Sequence, residues 1–294
     1  LGNNVEEQNS ASWDTIAEKL SDVIARMGVD ITKEAIGNSD IQALHASKNI
    51  DLKGGYTAIA VLKELAKTNL TQKLDMDHKT FRNTGHALQY YAKAHALVFY
   101  DKIKDTQKPK SRAMDKDQTL MQLGLFDAPS KFDPKLQILR IEVRLSQKPK
   151  MNSVLKKLGF GTSPKFKDII KKDVCQKIVK SYWQEMVLDK NLFIFEAVTM
   201  PNRVLKDLIR KYPKIKPKEA IYLTALNLLS KDEGGIRNLR IILEPISDKR
   251  TWYRISNDLK KLNYKKSNIR YHGWVGQITD QIDEFKDYKL PTGN

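Results

Sequence analysis

Two short runs hold residues whose types and spacing suit chemistry at a phosphodiester. One is Phe99-Tyr100-Asp101-Lys102; the other, Leu136 to Leu145, reads LQILRIEVRL and sets Arg140, Glu142 and Arg144 at alternate positions. Carboxylates such as Asp101 and Glu142 would hold Mg2+ or Mn2+, which take oxygen ligands. Lys102, Arg140 and Arg144 would neutralise charge on a phosphate. A tyrosine would be the nucleophile, storing the phosphodiester energy as a phosphotyrosine link. Its free phenol has a pKa of about 10, so a nearby cation must favour the phenolate. The competing expectation is structural: a strand face of solvated Arg–Glu pairs.

The elements that must position these residues follow from periodicity. Leu139, Ile141, Val143 and Leu145 alternate with Arg140, Glu142 and Arg144, so a strand over 136–145 has one apolar and one charged face. Strands are also expected at 86–91 and 93–102, the second containing AHALVFYDK. Trp13, Ile16, Ala17, Leu20, Val23, Ile24 and Met27 predict an amphipathic helix that Gly28 stops. Another helix is expected over 57–67, a Lys-rich loop over 103–118 and a short helix over 118–126. From Ser163-Pro164 onward the pattern is helical, with helices at 164–189, 202–211, 217–230, 235–243 and 249–262. The expected fold class is α+β: an antiparallel-sheet part over 1–160 and an all-helical part over 161–294. In the latter, Ile221, Ala225, Leu228 and Leu229 form an apolar stripe. Asp248 caps a last basic helix, completing a helix-turn-helix pattern. Lys249, Arg250, Arg254, Asn257 and Lys261 would then contact DNA, with Trp252 and Ile255 in the core; an ordinary helical bundle with a basic face is the alternative.

The chain has 294 residues and a net charge of +17. The excess is concentrated: 151–180 hold eight Lys against two Asp, and 249–270 hold eight Lys or Arg against Asp258. Such patches favour a polyanion, most often nucleic acid; a Lys-rich solubilising surface is the bland alternative. There is no GxxxxGK[ST], GxGxxG or GxSxG motif and no metal-site spacing among His45, His78, His86, His95 and His272, which argues against nucleotide-hydrolysing, dinucleotide-binding and hydrolase-elbow classes. The single cysteine, Cys175, excludes an internal disulfide and suits a core role and a reducing cytosol. No run of 18 apolar residues and no signal segment is visible, so no membrane partner is expected. The chain opens Leu1-Gly2-Asn3-Asn4 without an initiator Met, which leads us to expect natural sequence upstream.

In order along the chain, LGNN at Leu1 to Asn4, the segment from His86 through HALVFYDKIKD to Asp105, LRIEVRL at Leu139 to Leu145 and RTWYRISNDLKKL at Arg250 to Leu262 resemble the gene II/X family of phage and plasmid replication proteins. The YDK and RIE pair also resembles the initiators of rolling-circle plasmids. The resemblance implies a sheet-based nuclease domain related to the HUH endonucleases, N-terminally incomplete here, followed by a helical DNA-binding domain. It implies a metal-dependent nickase and ligase that cuts one strand of a double-stranded origin, keeps the 5′ phosphate on a tyrosine and later rejoins the single-stranded product. Host helicase and polymerase would be further partners, and the site of action a host cytoplasm. Tyr182, Tyr100 and Tyr253 remain the candidate nucleophiles, and Glu142 the candidate catalytic carboxylate. The family's pair of metal histidines is not seen, so carboxylates would take their place or the pair lies upstream. The rival expectation is a non-catalytic, sequence-specific DNA-binding protein, either an origin binder or a transcription regulator.

Overall fold

The computed structural model describes residues 6–7, 11–68, 70, 75–76, 85–106, 133, 135–197, 200–232, 234–264 and 270–290. Within them the chain is α+β. Five strands form one antiparallel sheet: β1 (Leu44–Asp51), β2 (Asp75–Met76), β3 (Ala87–Ala92), β4 (His95–Asp101) and β5 (Ile138–Leu145). Their spatial order is β1-β5-β4-β3-β2, so β5 and β4 are interior. The helices are α1 (Trp13–Arg26), α2 (Lys33–Gly37), α3 (Ala58–Ala66), α4 (Lys102–Thr106), α5 (Lys148–Lys157), α6 (Phe166–Ile169), α7 (Lys172–Tyr182), α8 (Asp189–Asn191), α9 (Pro201–Lys211), α10 (Pro217–Leu229), α11 (Gly235–Leu243), α12 (Lys249–Leu262) and α13 (Gly273–Glu284). None of these is long and apolar enough to cross a membrane. The LGNN segment, the helix expected at 118–126 and most of the expected loop 103–118 lie outside the described residues; 102–106 are helical.

The period of two sorts the sheet as the sequence predicts. Register places Leu139, Ile141, Val143 and Leu145 beside Phe99, Leu97, Ile50 and Ala46 on one face. All of them are buried in one hydrophobic cluster. That face is covered by α7 and α13 on β1 and β5, and by α3 on β3 and β4. Tyr90 tethers the end of α3, its hydroxyl donating to the Leu65 carbonyl at 2.6 Å. The cluster continues through residues beyond 160, among them Ile178, Trp183, Ile278 and Phe285, so the boundary expected near 160 does not divide the core.

Strand β1, which the sequence reading lacked, is an edge whose outward backbone groups are covered by side chains. Gln281 Oε1 accepts from Asp51 N at 2.9 Å while its amide donates to Asp51 O at 3.0 Å. Gln277, one turn earlier on α13, does the same for Lys53 at 2.8 and 3.1 Å. The Glu7 carboxylate accepts from Asn49 N at 2.6 Å and pairs with the buried Lys48 ammonium at 2.5 Å. These contacts substitute for a further strand, which an open edge would otherwise invite.

Two helical expectations need correction. The helix expected at 164–189 is broken: α6 ends at Ile170, which leaves the helical region, and α7 passes into a π-helical turn at Trp183–Leu188. The wider turn brings Trp183, Met186 and Val187 inward together. On α10 the expected stripe faces outward. Ile221 is 63% and Leu229 51% exposed, whereas Ala220, Leu223, Thr224, Leu226 and Asn227 are buried. Both α9 and α12 pack against α10, so small and polar residues line the inward arc and Thr224 returns its hydroxyl to Ala220 O. Between α10 and α11, Gly235 takes a positive φ of 59° and lies so close to Lys67 that a Cβ would come within 2.5 Å of its backbone.

Gln281→Ala is expected to lower stability by about 1–3 kcal/mol, because it strips partners from a part-buried N–H and C=O. A lower urea midpoint with unchanged slope is the expected reading; an unchanged midpoint would mean that water replaces the amide.

Candidate functional site

The face of the sheet opposite the core cluster is a grid that the register defines. One row is His45, Arg144, Ala96 and Tyr91; the next is Ser47, Glu142, Val98 and Gln89; the third is Asn49, Arg140, Tyr100 and Ala87. Glu142 sits at its centre with a side chain only 9% exposed. Arg144 Nε donates to Oε1 at 2.8 Å, His45 Nδ1 lies 3.4 Å from the same oxygen, and the Tyr100 hydroxyl donates to Oε2 at 3.0 Å. Arg140 Nε stands 3.8 Å from Oε2, while its Nη2 donates to Ser47 Oγ at 2.7 Å. Arg140 Nε is buried and has no hydrogen-bond partner.

Burial by itself would raise the Glu142 carboxyl. The His45 and Arg144 contacts and the charges of Arg144 and Arg140 outweigh it and hold Glu142 well below the usual carboxylate range. Burial pushes the Tyr100 phenol up; Arg140 opposes this, and Glu142 and Asp105 add to it. Tyr100 is therefore the proton donor to an ionised Glu142. Lys102 is buried at the start of α4, its ammonium 5.8 Å from the centre of the Tyr100 ring. Burial, and then Arg140, lower it to about 8.

The expected Asp101–Glu142 metal pair is not assembled. Asp101 is in register with Leu139 and so shares the opposite face. Its carboxylate is taken up by His86 Nδ1 at 3.2 Å and by the Lys104 N–H at 3.0 Å. Among the described residues no three His, Cys, Asp or Glu side chains are placed to share an ion. What Glu142 does have beside it is His45, which sequence reasoning missed. The carboxylate and the imidazole nitrogen thus stand side by side, with Arg144 on the same carboxylate oxygen and Tyr100 on the other. The missed signal was the alternation of Leu44, Ala46 and Ile50, interrupted by Lys48, whose burial depends on Glu7.

The three candidate tyrosines are far apart in role. Only Tyr100 touches Glu142. Tyr182 lies across the sheet, where its hydroxyl and His95 Nδ1 are 2.6 Å apart beside a cleft of about 350 Å³. Burial raises its phenol, with Glu185 adding to the effect, so the hydroxyl keeps its proton in the hydrogen bond with His95. His95 thus shares a face with Asp101 but serves Tyr182. Tyr253 is 60% exposed on α12. On the same helix Arg250, Arg254 and Asn257 are exposed, and Asp248 caps the first turn through Thr251 N at 2.6 Å. Lys261 is occupied by Glu219 at 3.1 Å and Asp258 at 3.0 Å, which ties α12 to α10; the Lys249 side chain lies outside the described residues. Trp252 and Ile255 pack on the core as expected. Burial pushes the Cys175 thiol up to about 11, which suits an inert residue.

Compared with known proteins, the chain matches no family model, no curated protein sequence and no solved structure.

Glu142 is ionised more readily in the folded chain than in the unfolded one, where its pKa is about 4.3. Its contribution to stability is thus complete above that value and is lost as pH falls below it toward the folded pKa. Glu142→Gln is expected to be less stable than the parent at pH 7, with the gap closing toward pH 3. Urea midpoints between pH 7 and 3 read this; a gap independent of pH would show that the carboxylate's charge is not what the cations hold.

Proposed function

We propose that the chain is a metal-dependent DNA strand-nicking and joining protein that starts rolling-circle replication of a phage or plasmid, with Tyr100 as nucleophile. The observation that carries this reading is the grouping of a tyrosine hydroxyl, an ionised carboxylate and two arginines on one sheet face, one arginine with a buried N–H still to satisfy. The order of the segments that resemble the gene II/X family supports it, with Tyr100 and Glu142 inside two of them.

Glu142 and His45 would hold Mn2+ or Mg2+, which supplies charge neutralisation at the scissile phosphate. Arg140 Nε and Arg144 bind the phosphate oxygens and keep Glu142 ionised. Tyr100 Oη attacks phosphorus, the bond to the 3′ oxygen breaks, and the 5′ phosphate remains on the tyrosine. The phenolic proton leaves to water while the ionised Glu142 orients the hydroxyl through its hydrogen bond, and the Lys102 ammonium protonates the departing 3′ oxygen. Reversal by a second 3′-hydroxyl rejoins the strand. Arg250, Arg254 and Asn257 on α12 hold duplex DNA beside the cut.

Incubation with Mn2+ and supercoiled DNA of the native replicon, quenched with SDS, is expected to give nicked DNA and a protein-linked 5′ end on the Tyr100 peptide. Tyr100→Phe should lose the adduct, and Glu142→Gln should lose cleavage with origin binding nearly intact. A modified Tyr182 or Tyr253 peptide would transfer the nucleophile role. Tight origin binding without any adduct would favour the second reading, a non-catalytic DNA-binding protein, which the exposed basic face of α12 supports.

Arg254→Ala is expected to weaken duplex binding by several fold and to reduce the slope of log affinity against log salt by about 1. An unchanged slope would remove Arg254 from the phosphate contacts.

A further inference from the structure

We propose that Tyr91 is a stacking platform for one base of a single DNA strand laid across the polar face, with Arg144 on an adjoining phosphate. This rests on the reading that the sheet face binds DNA, and it adds to that reading the means of holding an unpaired strand.

Tyr90 and Tyr91 are neighbours on β3 and so face opposite ways. The core accounts for Tyr90, which is buried and hydrogen-bonded to Leu65 O. It does not account for Tyr91, which is 41% exposed. The register places Tyr91 in one row with Ala96, Arg144 and His45. Neighbouring strands are roughly 4.8 Å apart, so Tyr91 and Arg144 stand about 10 Å from each other across the sheet. The residue between them, Ala96, is buried and contributes only a methyl group.

Exposure also falls along the strands in a way that gives the face a direction. The His45 and Arg144 side chains are 54% and 34% exposed, whereas Arg140 is 22% and Glu142 9%. The row of Tyr91, Arg144 and His45 is thus the open rim, and Glu142 with Tyr100 lies inward of it. A phosphate backbone would run from Tyr91 toward Arg144, whose guanidinium complements its charge. A tyrosine face accepts any base, and such stacks serve single strands, whose bases are free of partners.

The test compares a fluorescent single-stranded oligothymidine 12-mer with an abasic 12-mer of equal charge, by anisotropy over a range of salt. The intact chain is expected to bind oligothymidine roughly tenfold tighter than the abasic strand. Tyr91→Ala should lose most of that preference with the salt slope unchanged, and Tyr91→Phe should keep it. Arg144→Ala should reduce the slope by about 1 and keep the preference. A Tyr91→Ala protein that still prefers bases would overturn the proposal, as would tighter binding of oligouridine than of oligothymidine. If Arg144→Ala changes neither affinity nor slope, the sheet face does not bind DNA and the stack falls with it. A missing Tyr100 adduct in the SDS experiment would instead remove the nicking chemistry and leave the stack standing.

Discussion

One ionised carboxylate in the middle of a sheet governs the polar face of this protein. Glu142 is nearly buried, and burial alone would favour its neutral form. It stays charged because two arginines, a histidine and a tyrosine hydroxyl converge on its two oxygens. The dependence is mutual. Without the carboxylate, Arg140 and Arg144 would stand as like charges on one strand; without the arginines, the carboxylate would be an uncompensated buried ion, which is strongly destabilising.

That arrangement needs a rigid backbone, and the opposite face supplies it. Leu139, Ile141, Val143 and Leu145 are fully buried beneath the helices, so β5 cannot slip by one residue without exchanging its core face for its charged face. The edge at β1, which carries His45, is held by Gln277 and Gln281 from α13 and by Glu7. Residues from both ends of the chain thus fix the strand that presents His45 to Glu142.

The sheet also separates two tyrosine environments that a list of residues cannot tell apart. Tyr100 donates a hydrogen bond to a carboxylate among cations, whereas the Tyr182 hydroxyl is hydrogen-bonded to His95 on the far side of β4. Both phenols are raised by burial. They differ in what lies around the oxygen: Tyr100 has Glu142, Arg140 and Lys102 nearby, whereas Tyr182 has His95 and a cleft lined by Lys150, Lys157 and Glu185.

Alternation in LRIEVRL determined by itself that one face of β5 is apolar and the other charged, because side chains on a strand alternate whatever surrounds them. Helical spacing likewise placed α1, α3 and α9 to α12 within a few residues of their ends, since 3.6-residue periodicity and caps such as Asp248 are local. What the sequence could not determine depends on partners distant in the chain. β1 was hidden because Lys48 breaks its apolar alternation, and only the buried pair with Glu7 makes a lysine acceptable there. The outward turn of Ile221 and Leu229 on α10 is decided by α9 and α12 packing on it from two directions, not by the hydrophobicity of α10 itself. Asp101 and Glu142 read as a pair because both are carboxylates on apolar strands. Only the register, which sets Asp101 opposite Leu139 and Tyr100 opposite Arg140, puts the aspartate on the core side and leaves Tyr100 and His45 as the neighbours of Glu142.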